Sequence, residues 1–385
     1  MRFISFGALS ASLVLLLLPA CATGGAPAEK KKQMVSNEIS IGVAGPMSGD
    51  LGEFGEQLRH GARQAVADVN AVGGVLGKQL RLVEGDDQCD PPRAVRVANN
   101  LVEDGVVFVD GHFCSGSSIP ASAVYAEEGV LQITPASTNP YLTEDAAADG
   151  IKTVFRVTGR DDRQGTFAGP WLAKTYAGKN VAILDDGSAY GRGLADETHR
   201  AMEAAGLKAA LRDSYAQDQG NFSALIAELK DARIDAMYVG GYHSDIGPFI
   251  RQAREQGLNA QLFAGDALNT QEFVTLAGAA SDGVMFTNAP DLRDAPAAKA
   301  VIAKFRADGF EPEGYTLSAY AAVEVWAQAV KKAGTTEAAA VATALRGGSW
   351  QTVIGNVAFD AKGDLTTAAY VWFEFQNGRY SEAGR

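Results

Sequence analysis

The chain has 385 residues, 46% of them hydrophobic and 21% charged, a globular composition with enough apolar surface for two cores. Forty-six acidic residues against 34 basic ones give a formal net charge of −12, and no stripe of Lys and Arg interleaved with aromatics occurs. That balance repels phosphate backbones and argues against nucleic acid as a partner.

Residues 1–20, "MRFISFGALSASLVLLLLPA", carry Arg2, an apolar run and then small residues, the pattern of a secretory signal. "LPAC", ending at Cys21, resembles the lipobox of bacterial lipoproteins, so residues 1–21 are read as a lipoprotein-type signal peptide with Cys21 as the lipidated residue. Ordinary cleavage after "ACA" is the alternative, and both give export. Residues 22–37, "ATGGAPAEKKKQMVSN", have the composition of a flexible tether. No later segment approaches the ~18 uninterrupted apolar residues of a membrane helix.

With Cys21 assigned to the leader, Cys89 and Cys114 remain as an even pair, and export favours a disulfide between them over two buried thiols. A loop of that length predicts a stabilisation of roughly 3–4 kcal/mol.

From Glu38 onward β-branched runs alternate with amphipathic segments, the signature of parallel βα units. "ISIGVAG" (39–45) predicts a strand, and residues 55–74 a helix with Leu58, Ala62, Ala65, Val66 and Val69 on one stripe. A strand over 79–85 follows, then a helix over 91–105 with Pro at its start and Gly at its end, then a strand over 106–111. "GHFCSGSS" (111–118) is therefore a strand-to-helix turn, where helix N–H groups point at anions. The same grammar recurs in runs at 130–138, 180–191, 234–243, 260–267 and 282–290. Helices are expected over 315–334 and 338–348, and residues 356–380 show strand-like alternation broken by Gly363. No linker separates two domains, which suggests a chain that crosses repeatedly between two lobes.

"GPMSGDLGEFGEQLRHGARQAVADVNAVGGVLGKQLRLVEGDDQCDP", "GHFCSGSSIPAS", "ITPAST", "AYGRGLA", "GGYHSDIGPFIRQAR" and "FDAKGDL" occur in that order. Together they resemble the bacterial leucine/isoleucine/valine-binding proteins, collinearly over about residues 38–375. The resemblance implies an α/β fold of the periplasmic-binding-protein type I: two Rossmann-like βα lobes joined by a three-crossover hinge. It divides the chain into 38–156 with 290–368 as one lobe and 157–289 with 369–385 as the other. It also implies a monomeric periplasmic receptor, anchored to a membrane only through a lipid, that hands an amino acid to an inner-membrane ABC permease and needs no cofactor.

A zwitterionic ligand requires donors for its carboxylate, acceptors for its ammonium and a pocket for its side chain. Ser115 opens a helix and offers a hydroxyl and an N–H to the carboxylate; taken alone it could equally be an N-cap. Thr138 offers the same two groups and Ala136 a backbone carbonyl to the ammonium. Asp266 stands where the family places a glutamate facing the ammonium, one methylene shorter. The resemblance points to Phe54, Phe113, Cys114, Tyr190, Tyr242 and Tyr315 for the side-chain pocket, with Phe54 in place of a family tyrosine and Tyr315 in place of a phenylalanine. Strict branched-chain selectivity is therefore not expected.

Three other classes compete. A hydrolase would pair Cys114 or Ser115 with His112 or His243, yet no G-x-S-x-G elbow is present and Cys114 is better placed in a disulfide. His60, His112, His199 and His243 lack metal-ligand spacing, so no metal site is expected, and a sugar site would need stacking tryptophans at the strand ends. A ligand-binding sensor of the same fold, acting with a separate signalling chain, is the serious alternative.

Overall fold

The computed structural model describes residues 37–384; the signal segment, Cys21 and all but the last residue of the tether lie outside the described residues. β1 (Glu38–Gly45), β2 (Gln79–Asp86), β3 (Phe108–Gly111), β4 (Leu131–Thr134) and β5 (Val154–Arg156) form one parallel sheet in the order β2-β1-β3-β4-β5. Ile39, Ile41 and Val43 of β1 point into one core and Ala44 into another, so the strand is apolar on both faces, as a covered parallel sheet requires. The helices between them are α1 (Gly52–Ala71), α2 (Pro91–Glu103), α3 (Ser115–Glu127) and α4 (Tyr141–Ala148). Asp90 caps α2 by accepting from Arg93 N, and Pro91 follows at a position where its missing N–H costs nothing.

The second sheet repeats the plan. β6 (Val181–Asp185), β7 (Leu211–Ser214), β8 (Ala236–Gly240), β9 (Gln261–Ala264) and β10 (Met285–Asn288) are parallel in the order β7-β6-β8-β9-β10. Their helices are α5 (Asp161–Thr175), α6 (Ala189–Ala204), α7 (Ser223–Asp231), α8 (His243–Glu255) and α9 (Glu272–Ala277). After β10 come α10 (Lys299–Ala307), α11 (Thr316–Ala333) and α12 (Ala338–Arg346). α11 packs on α1, and its Trp326 stacks on Phe108 of β3 at 4.9 Å, so this part of the chain belongs with the first sheet. β11 (Trp350–Thr352) and β12 (Gly355–Val357) form a small hairpin. β13 (Val371–Gln376) and β14 (Arg379–Glu382) then return to the second sheet, where β13 pairs antiparallel with β10. The chain thus passes between the sheets three times, over 157–160, 289–298 and 358–370.

Most expected elements form, with shifted ends. α1 starts at Gly52, three residues before the expected helix, because the turn closed by Gly52 N on Gly49 O already sets its first residues. β5 is only three residues long and β7 is a half-exposed edge strand, and neither carries a readable pattern. The alternation over 356–380 resolves into β12 and β13, separated by an irregular crossover.

Cys89 and Cys114 are joined, with Cα atoms 5.5 Å apart, which ties the loop after β2 to the N-terminus of α3. The crossovers are tied by charge. Asp364, on the third, accepts from Arg156 Nε (2.7 Å), Arg160 Nη1 (2.5 Å) and Thr143 Oγ1 (2.9 Å), and all four residues are buried. Burial alone raises the Asp364 carboxyl, but the two arginines outweigh it and hold the group below the usual carboxylate range. A depressed folded value means that this stabilisation is complete above about pH 4 and fades as pH falls through the folded value. Asp364→Asn is expected to cost about 3–5 kcal/mol at pH 7, because it strands a buried guanidinium. Urea titrations at pH 7 and pH 3 check this: the gap between variant and parent should narrow at the lower pH.

Candidate ligand-binding site

In both sheets the strand order reverses beside the first strand, between β1 and β3 and between β6 and β8, and open α/β sheets leave a crevice at such points. The loops at these positions carry the expected residues. β3 ends at Gly111 (φ +146°), where a Cβ would lie 2.3 Å from Ala44 O, so only glycine fits. The chain then delivers Phe113 and Ser115, with Ser115 the first residue of α3. Tyr190 lies in the first turn of α6 and Tyr242 immediately precedes α8, from the reversal point of the second sheet.

Seven of the ten expected residues, Phe113, Ser115, Ala136, Tyr190, Tyr242, Asp266 and Tyr315, line one small cavity together with Ala267. Thr138 instead lines a larger neighbouring cavity, whose wall also includes Asp266 and Tyr315. Phe54 stands behind the wall, stacked on Phe113 at 4.4 Å and edge-on to Tyr315 at 5.7 Å. Cys114 precedes the helix and is held by its disulfide. The Tyr190 and Tyr242 rings tilt against each other at 5.1 Å, and Phe113 meets Tyr315 edge to face at 5.0 Å. Ala267 carried no signal of its own beyond its place next to Asp266.

Asp266 opens a short turn after β9 and is held on both oxygens: Tyr190 OH donates to Oδ1 at 3.0 Å and Tyr315 OH to Oδ2 at 2.6 Å. Gly265 allows this approach, since a Cβ there would lie 2.6 Å from the Tyr190 hydroxyl. Burial raises the Asp266 carboxyl above its usual range, while the two tyrosine hydrogen bonds pull it back. Tyr315 thus places its hydroxyl on Asp266, joining in one hydrogen bond two positions where the sequence is expected to depart from the family pattern.

Ser115 Oγ accepts from Asn139 N at 3.3 Å, linking α3 to the loop after β4 that carries Ala136 and Thr138. Arg156 supports the same loop, donating to Ser137 O at 2.8 Å and Asn139 O at 3.1 Å. Arg156 lies in no motif read from the sequence, although Asp364, its partner, sits in "FDAKGDL". Asp161, at the start of α5, is fully buried and its N–H donates to Thr138 O at 3.0 Å. Burial and then Asp266 push its carboxyl well above the usual range, tempered by the Thr138 hydroxyl and Arg156. The sequence pattern did not single it out.

His112 is fully buried, with Nδ1 2.6 Å from Asp87 Oδ2 and Nε2 2.8 Å from Tyr125 OH, so both ring nitrogens are engaged away from Cys114.

The model of a family described as periplasmic binding protein matches residues 38–379. The chain belongs to the periplasmic binding protein family. Among its periplasmic-binding-protein relatives, a Leu/Ile/Val-binding protein homolog 2 from Brucella abortus is 45% identical over 89% of this chain and 91% of its own length. An amino acid binding protein from Pseudomonas aeruginosa is 44% identical over 90% and 92%. The solved structure of the branched-chain amino acid transporter substrate binding protein LivJ from Streptococcus pneumoniae, in complex with isoleucine, superposes with a TM-score of 0.81. It is 28% identical and the match covers 89% of this chain and 98% of that one.

Tyr315→Phe is expected to destabilise the protein by about 1.5–3 kcal/mol at pH 7, the worth of a hydrogen bond to a charged group. The Tyr315 hydroxyl favours the ionised form of the Asp266 carboxyl, which burial raises and which rises further without this donor, so the loss is larger at pH 7 than near pH 4, where more of the carboxyl is protonated in both proteins. Denaturant titrations of parent and variant at both pH values measure the difference.

Proposed function

We propose that this protein is the substrate-binding component of an ABC importer, capturing a hydrophobic or branched-chain amino acid in the periplasm and delivering it to an inner-membrane permease. What carries this reading is that a helix N-terminus at Ser115, a buried carboxylate at Asp266 and aromatic rings from both sheets face one cavity. These are the three recognition elements that a free amino acid needs. Ser115 supplies hydroxyl and N–H to the carboxylate, Asp266 and the carbonyl of Ala136 face the ammonium, and Thr138 adds its hydroxyl from the adjoining wall. Phe113, Tyr190, Tyr242 and Tyr315 surround the side chain, with Phe54 and Cys114 supporting them. The names of the relatives from Brucella abortus and Pseudomonas aeruginosa and the isoleucine complex of LivJ support the same class of ligand.

The two lobes are taken as 38–156 with 290–368 and 157–289 with 369–385, closing on the ligand by bending the three crossovers. Catalysis is not part of this reading. Its best nucleophile, Cys114, is in a disulfide, and its best base, His112, is held between Asp87 and Tyr125. The protein acts as a monomer without a cofactor, held at the envelope through a lipid on Cys21.

A thermal-shift screen of the exported protein against the common amino acids tests the function. A ligand at 100 times its Kd adds ~2.7 kcal/mol and raises the melting temperature. Asp266→Asn should then weaken the best ligand by about 2–5 kcal/mol in calorimetry; unchanged affinity would move the ammonium partner elsewhere. Intact-mass analysis of the envelope protein should find a chain starting at Cys21 with diacylglyceryl mass, whereas a bare chain starting at Thr23 contradicts the anchor.

A further inference from the structure

The two halves also meet where the start of α1 faces the starts of α8 and α9. Phe54, in the first turn of α1, stands edge-on to the His243 ring at 4.9 Å, and His243 is the first residue of α8. His243 is fully buried, with Nε2 2.9 Å from Oε2 of Glu272, the first residue of α9. Glu53, next to Phe54 in the same turn, therefore faces Glu272 and His243 across the junction.

Acids gather on both sides of it. Burial, then Glu272 and Glu56, raise the Glu53 carboxyl above its usual range, while His243 pulls it down. Asp50, in the turn before α1, faces Asp245 in the first turn of α8. The Asp245 carboxyl is pushed up to about 6, by burial first and then by Asp218, Asp186 and Asp50, against the Asp218 N–H that donates to it at 3.0 Å. From the segment before α11, Glu313 adds a further acid to the first half; it accepts from Tyr380 OH at 3.3 Å and from the Gln271 N–H, both on the second half. The arginines nearby are engaged: Arg59 pairs with Glu56 and with Glu84 at 3.1 Å, and Arg293 pairs with Asp291 at 2.7 Å. Closing the halves thus brings like charges together, with the His243 imidazole beside them.

We propose that Glu53 and Glu272 form a proton-operated latch between the halves: when both are ionised they oppose closure, and a proton taken up at Glu53 removes that opposition, so that ligand capture tightens in mild acid. A carboxyl raised only in the closed form holds its proton more tightly there. Closure is opposed in full above the closed-form value, and the opposition fades as pH falls toward the ordinary glutamate value of about 4.3, below which both forms are protonated. The link to capture rests on the reading of a binding protein that closes on an amino acid; the latch is measured without one.

Single-molecule energy transfer between dyes on Ala227→Cys in α7 and Lys331→Cys in α11, exposed positions on the two halves, reads closure of the ligand-free exported protein. Between pH 7.5 and pH 5 the ratio of closed to open molecules is expected to rise about three- to tenfold, tenfold corresponding to one unit of difference between the two forms. In Glu53→Gln and Glu272→Gln it should change less than about twofold, and stand at pH 7.5 near the value the parent reaches in acid. Circular dichroism melts confirm that both variants are folded. In calorimetry with leucine as the probe, Glu53→Gln should bind about three- to tenfold more tightly than the parent at pH 7.5 and within about twofold of it at pH 5. Protonation of Asp266 in acid acts on both proteins alike, so the comparison isolates Glu53. A closed-to-open ratio that ignores pH overturns the proposal. So does a response that survives in Glu53→Gln, which assigns the proton to another group such as His243, or one that survives in Glu272→Gln, which removes the pairing. Equal leucine affinities at pH 7.5 overturn the coupling to capture. If neither leucine nor any other amino acid binds while the pH response still depends on Glu53, the latch stands and the amino-acid reading falls.

Discussion

The pairing of Asp364 with Arg156 and Arg160 is the constraint on which the geometry of the site depends. It joins the first and third crossovers, which lie about 200 positions apart in sequence but must sit side by side if the two sheets are to present their strand ends to each other. Arg156 is fully buried, an expensive position for a charge, and it is satisfied on every side: Asp364, two backbone carbonyls and the Thr143 hydroxyl. Those carbonyls belong to Ser137 and Asn139, on either side of Thr138. One guanidinium therefore sets both the junction of the halves and the loop that carries Ala136 and Thr138.

The repetition of one strand order explains why the candidate residues come from so many places in the sequence. Each sheet reverses its winding beside its first strand, and each reversal opens a crevice at the carboxyl ends of the strands. Phe113 and Ser115 come from the first crevice and Tyr190 and Tyr242 from the second. Their sequence separation follows from topology, while the Phe113–Tyr242 distance of 6.4 Å between ring centres shows the two crevices facing each other. Tyr315 enters just before α11, whose packing on α1 makes it a late addition to the first sheet's half.

Periodicity and turn residues carried the parallel βα plan because β1, β6 and β8 are long enough and apolar enough to stand out, and because Asp90 with Pro91 marks a helix start chemically. β5 and β7 were not legible: one is three residues long and the other lies at an edge, where none of its side chains is fully buried. The antiparallel return of β13 onto β10 is likewise a tertiary choice with no local mark. At the site, the strand-end residues were legible through motif order, whereas Arg156 and Asp161 were not. Their importance lies in what surrounds them, and a buried charge in a sequence looks like any surface charge.

On the proposed reading, the electrostatics of this region make ligand binding and lobe closure one event. Asp161 and Asp266 are both buried, and each is pushed above the usual carboxylate range, first by loss of water and, for Asp161, also by its neighbour. Arg156, the cation that tempers Asp161, already faces Asp364, and the tyrosines on Asp266 supply hydrogen bonds but no charge. Closing the two halves around this pair without a cation favours protonation of one acid. On the proposed reading, an amino acid brings an ammonium to Asp266 and a carboxylate to Ser115 at the start of α3, so it supplies the missing cation and carries its own counter-charge to a helix terminus suited to it. Closure then stabilises the ionised acid instead of opposing it, and an uncharged mimic of the same shape lacks that advantage.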